Sequence, residues 1–518
     1  MIIKVLFNIV ICLIFFLPVS SQSPPSIQWQ KCYGGSNSDV GYAVQQTSDG
    51  GYIVGGVSQS NDGDVSGHIG NNDYWVIKLD KDGTISWEKS IGSVYDDQLS
   101  SIQQTSDGGY IIAGASNSMS GNINGQFDYY IVKLKSNGSI EWQKFLGGSG
   151  NDKAYSVQQT TDGGYIVAGQ SFSVNGDVSG NHGLSDAWVV KLNPAGNMVW
   201  QKSLGGSSYE VAWCIKQTND GGYILTGSSS SVDGDVIGGW PHTIPWIVKL
   251  NSTGNILWQK EYGSKQISSA EVCYSIQQTS EGGYIVAGYN EANGGDVTGN
   301  HGSRDFWLLK LDDNGNLIWQ KSLGGSKYET AQAVQETSDK GFIAVGTTDS
   351  NDGDVLGNSV TTGRYWVTKL SSLGILEWQQ SYGLLNYGAS AFGVQQTADK
   401  GYIVTGINGV SGSCPGSFSL GVIKLTSEIK IQDSSAYPKI YPNPAVNQIF
   451  VDLHSSEKVN ATFRIFDAIG REVYRKIFLL NIGLNSIPIN TSKFSTGVYI
   501  LSITGKNNYS RKFVKIAN

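Results

Sequence analysis

The sequence has few charged residues, few cysteines and only one long apolar run. Asp, Glu, Lys and Arg make up 15% of the 518 residues, which is too little for a coiled coil or a disordered chain. The apolar run, from Val5 to Val19, follows Lys4 and precedes small residues. This arrangement predicts a signal peptide over residues 1–21 and an exported mature chain without a transmembrane segment.

Motifs of common catalytic sites are missing too. The chain contains no G-x-S-x-G nucleophile elbow, no H-E-x-x-H zinc motif and no phosphate-binding P-loop. None of the cysteines after the signal peptide belongs to the C-x-x-C pair of a zinc site. The residues therefore favour a protein without enzymatic activity, with a polysaccharide lyase or hydrolase as the alternative.

The chain is instead rich in glycine and aromatic residues, and it consists mostly of a repeat of 55 to 61 residues that occurs seven times. The first tryptophan of the repeat recurs at Trp29, Trp87, Trp142, Trp200, Trp258, Trp319 and Trp378. Each repeat holds four runs of β-branched and aromatic residues, separated by turns of Gly, Asn, Asp and Ser. Each repeat is therefore predicted to be a four-stranded antiparallel meander.

Seven such units over residues 22–426 predict an all-β fold, a seven-bladed β-propeller. The array begins with an extra strand, Ile27–Lys31, and its seventh repeat lacks a fourth strand. The extra strand is expected to complete the last blade and close the ring. With its W-x-K, D-G-G-Y-I-V-A-G and D-x-W-V-V-K-L signatures, the region resembles the secreted seven-bladed propeller repeats of bacteria.

A polar linker over residues 427–436 leads to a different segment, 437–518. Alternating strands and Gly turns predict a small immunoglobulin-like β-sandwich there. The segment closely resembles the type A C-terminal sorting domain of the type IX secretion system. The residues that carry this resemblance are Tyr441, Pro442, Asn443, Pro444, Gly470, Gly497, Lys512 and Lys515.

The resemblance implies export by the type IX machinery to the surface of a Gram-negative bacterium, where many such proteins are attached to lipopolysaccharide. Residues 434–518 carry 11 Lys and Arg against 4 Asp and Glu, whereas residues 22–433 carry 24 against 39. The acidic repeats argue against a nucleic acid as their partner. The basic tail is compatible with an anionic surface such as lipopolysaccharide.

One acidic residue recurs eight positions before the threonine of each Q-T motif. It is Asp39, Asp97, Asp152, Glu210, Glu271 and Glu329 in the first six repeats, and Ala389 takes its place in the seventh. A ring of carboxylates binds cations, but a single carboxylate also accepts backbone N–H groups and orders its own loop. We expect the second role.

The long loop of the first repeat has oxygen ligands at the spacing of a calcium loop. Asp62, Asp64, Ser66 and Asp73 occupy positions 1, 3, 5 and 12 of that spacing. The flanking helices of such a loop are absent, and Asp, Asn and Gly also form ordinary turns. A calcium site and simple turns are therefore alternatives here.

Several unique residues fall in the predicted loops of neighbouring repeats. Only Trp213 and Trp240 lie outside the repeated tryptophan positions. Trp240 and His242 belong to the loop of the fourth repeat, and Arg304 and Arg364 to the loops of the next two. Because Trp stacks on sugars and Arg pairs with carboxylates, Trp240, His242 and both arginines are the predicted ligand site, with random loop variation as the alternative.

Cys32, at the end of the closing strand, and Cys414, in the last repeat, are expected to form a disulfide because export permits one. Together these patterns predict an exported, surface-associated binding or adhesion protein whose ligand is a glycan or another surface polymer. Besides the enzyme named above, a purely structural surface protein is an alternative.

Overall fold

In the computed structural model the chain folds into strands and loops, and no helix occurs within the described residues. These residues are 24–117, 126–240, 242–266, 269–357, 363–382, 388–409, 414, 416, 418–428, 438–455, 457–467, 471–504 and 509–516. In this part of the chain there is consequently no helix long and apolar enough to cross a membrane. Two compact units are present, and the division between them falls after Glu428.

The first unit contains seven antiparallel sheets of four strands, numbered here in the order of the repeats. Sheet 1 is β2 (Asp39–Gln46), β3 (Tyr52–Ser58), β4 (Asp73–Leu79) and β5 (Ile85–Ile91). Sheet 2 is β6 (Asp97–Gln104), β7 (Tyr110–Ser116), β8 (Asp128–Leu134) and β9 (Ile140–Leu146). Sheet 3 is β10 (Asp152–Gln159), β11 (Tyr165–Ser171), β12 (Asp186–Leu192) and β13 (Met198–Leu204).

The remaining sheets repeat this order of strands. Sheet 4 is β14 (Glu210–Gln217), β15 (Tyr223–Ser229), β16 (Ile244–Leu250) and β17 (Ile256–Glu261). Sheet 5 is β18 (Val272–Gln278), β19 (Tyr284–Asn290), β20 (Asp305–Leu311) and β21 (Leu317–Leu323). Sheet 6 is β22 (Glu329–Glu336), β23 (Phe342–Thr348), β24 (Arg364–Leu370) and β25 (Leu376–Tyr382). Sheet 7 is β26 (Ser390–Gln396), β27 (Tyr402–Gly409), β28 (Phe418–Leu425) and β1 (Ile27–Tyr33).

The fourth strand of sheet 7 comes from the other end of the chain. Strand β1 pairs antiparallel with β28, with Trp29 opposite Lys424 and Cys32 opposite Gly421. A disulfide joins Cys32 to Cys414, 382 positions later, with 5.5 Å between the two Cα atoms. The extra strand therefore pairs where the repeat count predicts, and a covalent bond holds it there.

Neighbouring sheets pack through large apolar side chains. The tryptophans of the D-x-W motif are fully buried, as Trp188 and Trp307 illustrate, and aromatic side chains of this size contribute most to core stability. The first tryptophan of a repeat lies on the fourth strand of a sheet, called the outer strand here, and it packs against a turn of the next sheet. A Cβ at Gly196 would lie 2.9 Å from the Trp142 ring, and Trp29 of sheet 7 meets Gly83 of sheet 1 in the same way.

Glutamine side chains join the first strands of neighbouring sheets, which are called the inner strands here, and they explain the Q-Q-T motif. Between sheets 2 and 3, Gln159 N–H donates to Gln103 Oε1 at 2.7 Å, and Ser106 N–H donates to Gln159 Oε1 at 2.8 Å. The same pair of bonds links sheets 7 and 1: Gln46 N–H donates to the Gln395 side chain, and Ala398 N–H to the Gln46 side chain. Because an unpaired buried N–H is costly, each junction depends on these amides.

The D-G-G turns, which directly follow these glutamines at the ends of the inner strands, are held by buried lysines of the V-K-L runs. Lys191 Nζ lies 2.9 Å from Asp162 Oδ2 and also donates to the Leu192 carbonyl at 2.9 Å. Burial alone would raise the pKa of Asp162, but bonds from Thr160 and Lys191 lower it to about 2. The repeated Asp and Lys therefore form a structural pair.

The second unit is made of two sheets over one apolar core. One sheet is β29 (Lys439–Tyr441), β30 (Gln448–Ser455) and β33 (Gly483–Asn490); the other is β32 (Glu472–Leu480), β31 (Val459–Asp467), β34 (Gly497–Thr504) and β35 (Tyr509–Lys515). Val451 and Ile489 from the first sheet share a cluster with Phe463, Leu501 and Phe513 from the second. The unit thus has its own core.

Candidate functional site

The loop face is the side of the first unit that carries connections such as residues 34–38 and long loops such as 59–72. The repeated acidic residues lie there, at the starts of the inner strands. Glu210 is buried and accepts N–H groups from Gly206 at 2.8 Å and Ser231 at 3.1 Å, together with the Ser229 hydroxyl at 2.9 Å. The carboxylate therefore orders the connection that precedes it.

Some of these carboxylates also face a second buried carboxylate. Asp305 Oδ1 and Glu329 Oε2 both lie 2.7 Å from the position that a Cβ would take at Gly324. Asp305 is fully buried, and its Oδ1 has no hydrogen-bond partner among the described residues. Burial raises the pKa of Asp305 to about 6, although the bond to His301 opposes this.

The raised pKa of Asp305 predicts how stability depends on pH. Between about pH 4, where an ordinary Asp ionises, and about pH 6, the folded state holds a proton that the unfolded chain has released. As pH rises through this window, the free energy of unfolding should therefore fall, by about 2 kcal/mol for this one group. Urea unfolding from pH 4 to pH 7 measures the slope, which should flatten in Asp305→Asn; an equally steep slope in that variant contradicts the prediction. Below about pH 4 the sign reverses, because Asp162 loses its stabilising bonds as pH falls toward its pKa of about 2.

The candidate calcium ligands of the first repeat are engaged with other groups. Asp62 Oδ1 accepts the Ser36 N–H at 2.7 Å, and Asp64 Oδ2 accepts the Gly34 N–H at 3.2 Å. Both carboxylates thus bind the backbone of the neighbouring connection. Within the described ranges, no three His, Cys, Asp or Glu side chains are arranged to hold a metal ion.

The other two candidate ligands have partners as well. The Ser66 hydroxyl donates to Glu88, and Asp73 Oδ2 lies 3.0 Å from His68 Nδ1. The same pairing of a loop histidine with a buried aspartate recurs as His182–Asp186 and His301–Asp305, at 2.7 Å in both. The loop histidines therefore lie in separate sheets, each ordering its own loop.

The predicted ligand site divides into groups with different neighbours. The Trp240 and His242 rings are 6.0 Å apart, and Lys265 Nζ lies 6.0 Å from the centre of the Trp240 ring. Arg304 Nε donates to Glu291 at 2.7 Å, and its guanidinium lies 4.3 Å from the centre of the Tyr289 ring. Arg364 is half-buried at the start of β24. The structure thus brings together the aromatic pair and leaves Arg304 with other partners.

A more distinctive site lies where the inner strands bulge. In sheet 4, Ala212 pairs with Gly227 and Cys214 pairs with Thr226, so that Trp213 between them has no pairing partner. The same β-bulge occurs three residues after the repeated acidic position in every sheet of the first unit. The bulged residues are Tyr42, Ser100, Tyr155, Trp213, Tyr274, Gln332 and Phe392.

All seven bulged residues line one cavity of about 490 Å³, named here the aromatic slot. Trp213 lies between Tyr155 and Tyr274, with ring centres 4.6 and 5.6 Å away. Tyr42 and Phe392 form a second wall with ring centres 5.2 Å apart. In the sequence order of the sheets, Ser100 and Gln332 fall between the two walls, so that polar gaps separate the aromatic surfaces.

The slot combines apolar faces with hydrogen-bonding groups. Trp213 Nε1 is buried and has no partner among the described residues. Burial raises the pKa of both Tyr155 and Tyr274 to about 12, so their phenols stay neutral. Asn72 and Gln98 line the cavity as well. Concave sites of 300–1,000 Å³ with aromatic walls and a few polar groups are typical of small-ligand binding.

The sequence carries one signal for this site. Trp213 stood out as one of two tryptophans outside the repeated positions. Its equivalents in the other repeats differ from one another, because this position faces the cavity while its neighbours maintain the sheet. The β-bulge that turns these side chains toward the cavity cannot be predicted from the alternation of polar and apolar residues.

The described motif residues of the second unit lie in or next to β29, β34 and β35. Asn443 Oδ1 accepts the Val514 N–H at 2.9 Å, and Gly497 lies opposite Lys515 in the pairing of the two strands. Of the other motif residues, Tyr441, Pro442 and Pro444 lie in or next to β29, Lys512 lies in β35, and Gly470 falls outside the described residues. Residues 439–516 match the family described as "Secretion system C-terminal sorting domain".

Comparison with known proteins gives weak similarities for the chain as a whole. Sqt1 from Chaetomium thermophilum shares 12% identity at a TM-score of 0.41, over 78% of this chain and 99% of that one. A gluconolactonase from Xanthomonas campestris shares 9% at 0.34, over 78% and 96%. An α-L-arabinofuranosidase from Fusarium graminearum shares 11% at 0.37, over 62% and 91%. No curated protein matches the sequence.

Proposed function

We propose that this exported cell-surface protein, whose C-terminal unit is a sorting domain of the type IX secretion system, is a non-enzymatic binding protein that holds a carbohydrate in its aromatic slot. The observation that carries the proposal is the ring of bulged residues, five of which are aromatic, around a cavity of about 490 Å³. Aromatic rings stack on the apolar faces of sugars. The corresponding ligand class is a glycan or another surface polymer, which would enter from the loop face, where the loop residue Asn72 joins the slot lining.

This function needs a rigid ring, and we extend the proposal to the architecture. The first unit is a closed seven-bladed propeller, and the second is an immunoglobulin-like sandwich that directs export and attachment to surface lipopolysaccharide. Three contacts between sheets 7 and 1 support closure: the Gln46–Gln395 bond, the Ala398–Gln46 bond and the packing of Trp29 on Gly83. A closed ring holds the seven bulged residues at fixed positions.

An enzyme acting on polysaccharide is the second candidate, and the histidine–aspartate pairs favour it. His182 and His301 are 37% and 40% exposed, and Nδ1 of each is bonded to a buried carboxylate. A histidine held in this way is able to act as a general base at its other nitrogen. Release of reducing ends from a polysaccharide, lost in both His182→Ala and His301→Ala, would favour the enzyme.

The decisive variant is Trp213→Ala in the purified full chain. Loss of the central ring of one wall should weaken binding to polysaccharides about 30-fold, the cost of about 2 kcal/mol for removing a buried aromatic contact residue. Binding to a panel of neutral and acidic polysaccharides by affinity electrophoresis or calorimetry measures the effect. Trp240→Ala is the matched control, because Trp240 lies outside the slot lining. Equal loss in both variants, or loss only in Trp240→Ala, would move the site to the long loops; no binding to any polymer contradicts the proposal.

A further inference from the structure

The half-buried ammonium group of Lys153 lies next to one polar gap of the aromatic slot, the gap at Ser100 in sheet 2. Lys153 belongs to β10, two residues before Tyr155, and its Nζ lies 4.0 Å from the centre of the Phe127 ring. Burial lowers the pKa of Lys153, and the nearby Asp96 carboxylate opposes this. Lys153 makes no ion pair within 4.0 Å in the described part of the chain. A partly desolvated cation without an ion pair is a favourable partner for an anion.

The ammonium group orients an amide that lines the slot. Lys153 Nζ donates to Gln98 Oε1 at 3.3 Å, and Gln98 is one of the residues around the cavity. Because the lysine occupies the carbonyl oxygen, the Nε2 group of Gln98 is left to donate. The gap therefore presents a hydrogen-bond donor backed by a positive charge.

The nearby carboxylate is engaged with a different amide. Asp96 Oδ1 accepts the Asn72 Nδ2–H at 2.8 Å, and Asn72 Oδ1 accepts from Gln59 Nε2 at 3.0 Å. The Asn72 carbonyl oxygen and one of its two N–H groups are thus engaged within the protein. Gln98 offers the N–H groups of its Nε2, and the unpartnered Nε1–H of Trp213 is a further donor in the same cavity.

We infer that the ligand of the aromatic slot is an acidic glycan whose carboxylate binds at the gap formed by Gln98 and backed by Lys153. The inference deepens the proposed function and depends on it. The aromatic walls stack on a sugar ring, while the donors of Gln98 and Trp213 are matched by acceptors of a uronic acid residue. Lys153 acts through Gln98 and is a positioning residue, which sets the preference for charged over neutral sugars.

The probes are polygalacturonate, alginate and hyaluronan, each beside the same polymer with its carboxyl groups reduced to alcohols. The purified full chain should bind at least one parent polymer about tenfold or more tightly than its reduced form, as expected for a charge-assisted contact of about 1.4 kcal/mol or more. Lys153→Gln should remove that preference and the dependence of binding on salt, and Lys153→Arg should retain part of both. Lys144→Gln, on the outer strand β9, is the control and should bind like the original chain.

The outcomes separate this inference from the proposed function. Equal binding of parent and reduced polymers, with loss of both in Trp213→Ala, overturns the inference and leaves the binding function in place. An unchanged preference in Lys153→Gln also overturns it. If none of the six polymers binds and neutral polysaccharides do, the ligand is not acidic; if nothing binds at all, both proposals fail together.

Discussion

A chain that begins at residue 34, and so lacks β1, should fail to form a stable first unit. Removal of β1 exposes the edge of β28, with which β1 pairs from Leu420 to Leu425. Unpaired sheet edges lead to aggregation. The truncation also removes Trp29 from the turn at Gly83 and the bond from the Tyr33 hydroxyl to the Gly83 carbonyl. Circular dichroism melting and gel filtration of the truncated chain should show loss of the cooperative transition and soluble aggregates.

The disulfide variant distinguishes the strand from its covalent link. Cys32→Ser with Cys414→Ser keeps all the pairings of β1 and removes only the bond between the two cysteines. Loss of a native disulfide costs about 2–5 kcal/mol, so this variant should melt at a lower temperature but remain folded and free of aggregates. A truncated chain that melts like the original would show that β1 is dispensable.

Gly227→Ala should be one of the most damaging single substitutions near the slot. A Cβ at this position would lie 1.8 Å from the Val211 carbonyl oxygen, which is backbone of the adjacent inner strand. The strands cannot keep this pairing, and the bulge that presents Trp213 depends on it. We expect a loss of about 3 kcal/mol or more in the free energy of unfolding, together with weakened binding.

The control for this substitution is another glycine of the same repeat. Gly221 has a φ of +79° and no atom within 4 Å of an added Cβ. Gly221→Ala should therefore cost only about 1 kcal/mol of backbone strain and leave binding unchanged. Urea unfolding of both variants measures the difference, and equal costs would mean that the close approach to Val211 is not what constrains Gly227.

The sequence predicted the strands well because each feature of the repeat has a local cause. The D-G-G turn, for example, follows from Asp162 accepting bonds from its own turn and from Lys191. Pairing of β1 with β28 followed from counting strands. The expectation that the acidic residues order their connections is confirmed for Glu210, which accepts three neighbouring groups, but both carboxylate oxygens of Glu271 lack a hydrogen-bond partner among the described residues.

The candidate site was harder to predict because it depends on contacts between distant repeats. Asp62 and Asp64 have the spacing of calcium ligands, but both carboxylates accept hydrogen bonds from backbone N–H groups of residues 34–36. Trp240 was predicted to belong to the ligand site because it is a unique residue in a loop. Trp213 lies within a strand, where a tryptophan is usually part of the core, and only the pairing register shows that it is bulged into a cavity.

The bulge also bears on how such proteins diversify. Each repeat contributes one side chain to the slot from a position that takes no part in the strand pairing, and nature has placed Tyr, Ser, Trp, Gln and Phe there within a single chain. Point mutations at these seven sites would therefore change the lining of the slot and leave the strand pairing in place, much as loop residues change in antibodies. A library randomised at these seven codons is a rational starting point for new binding proteins.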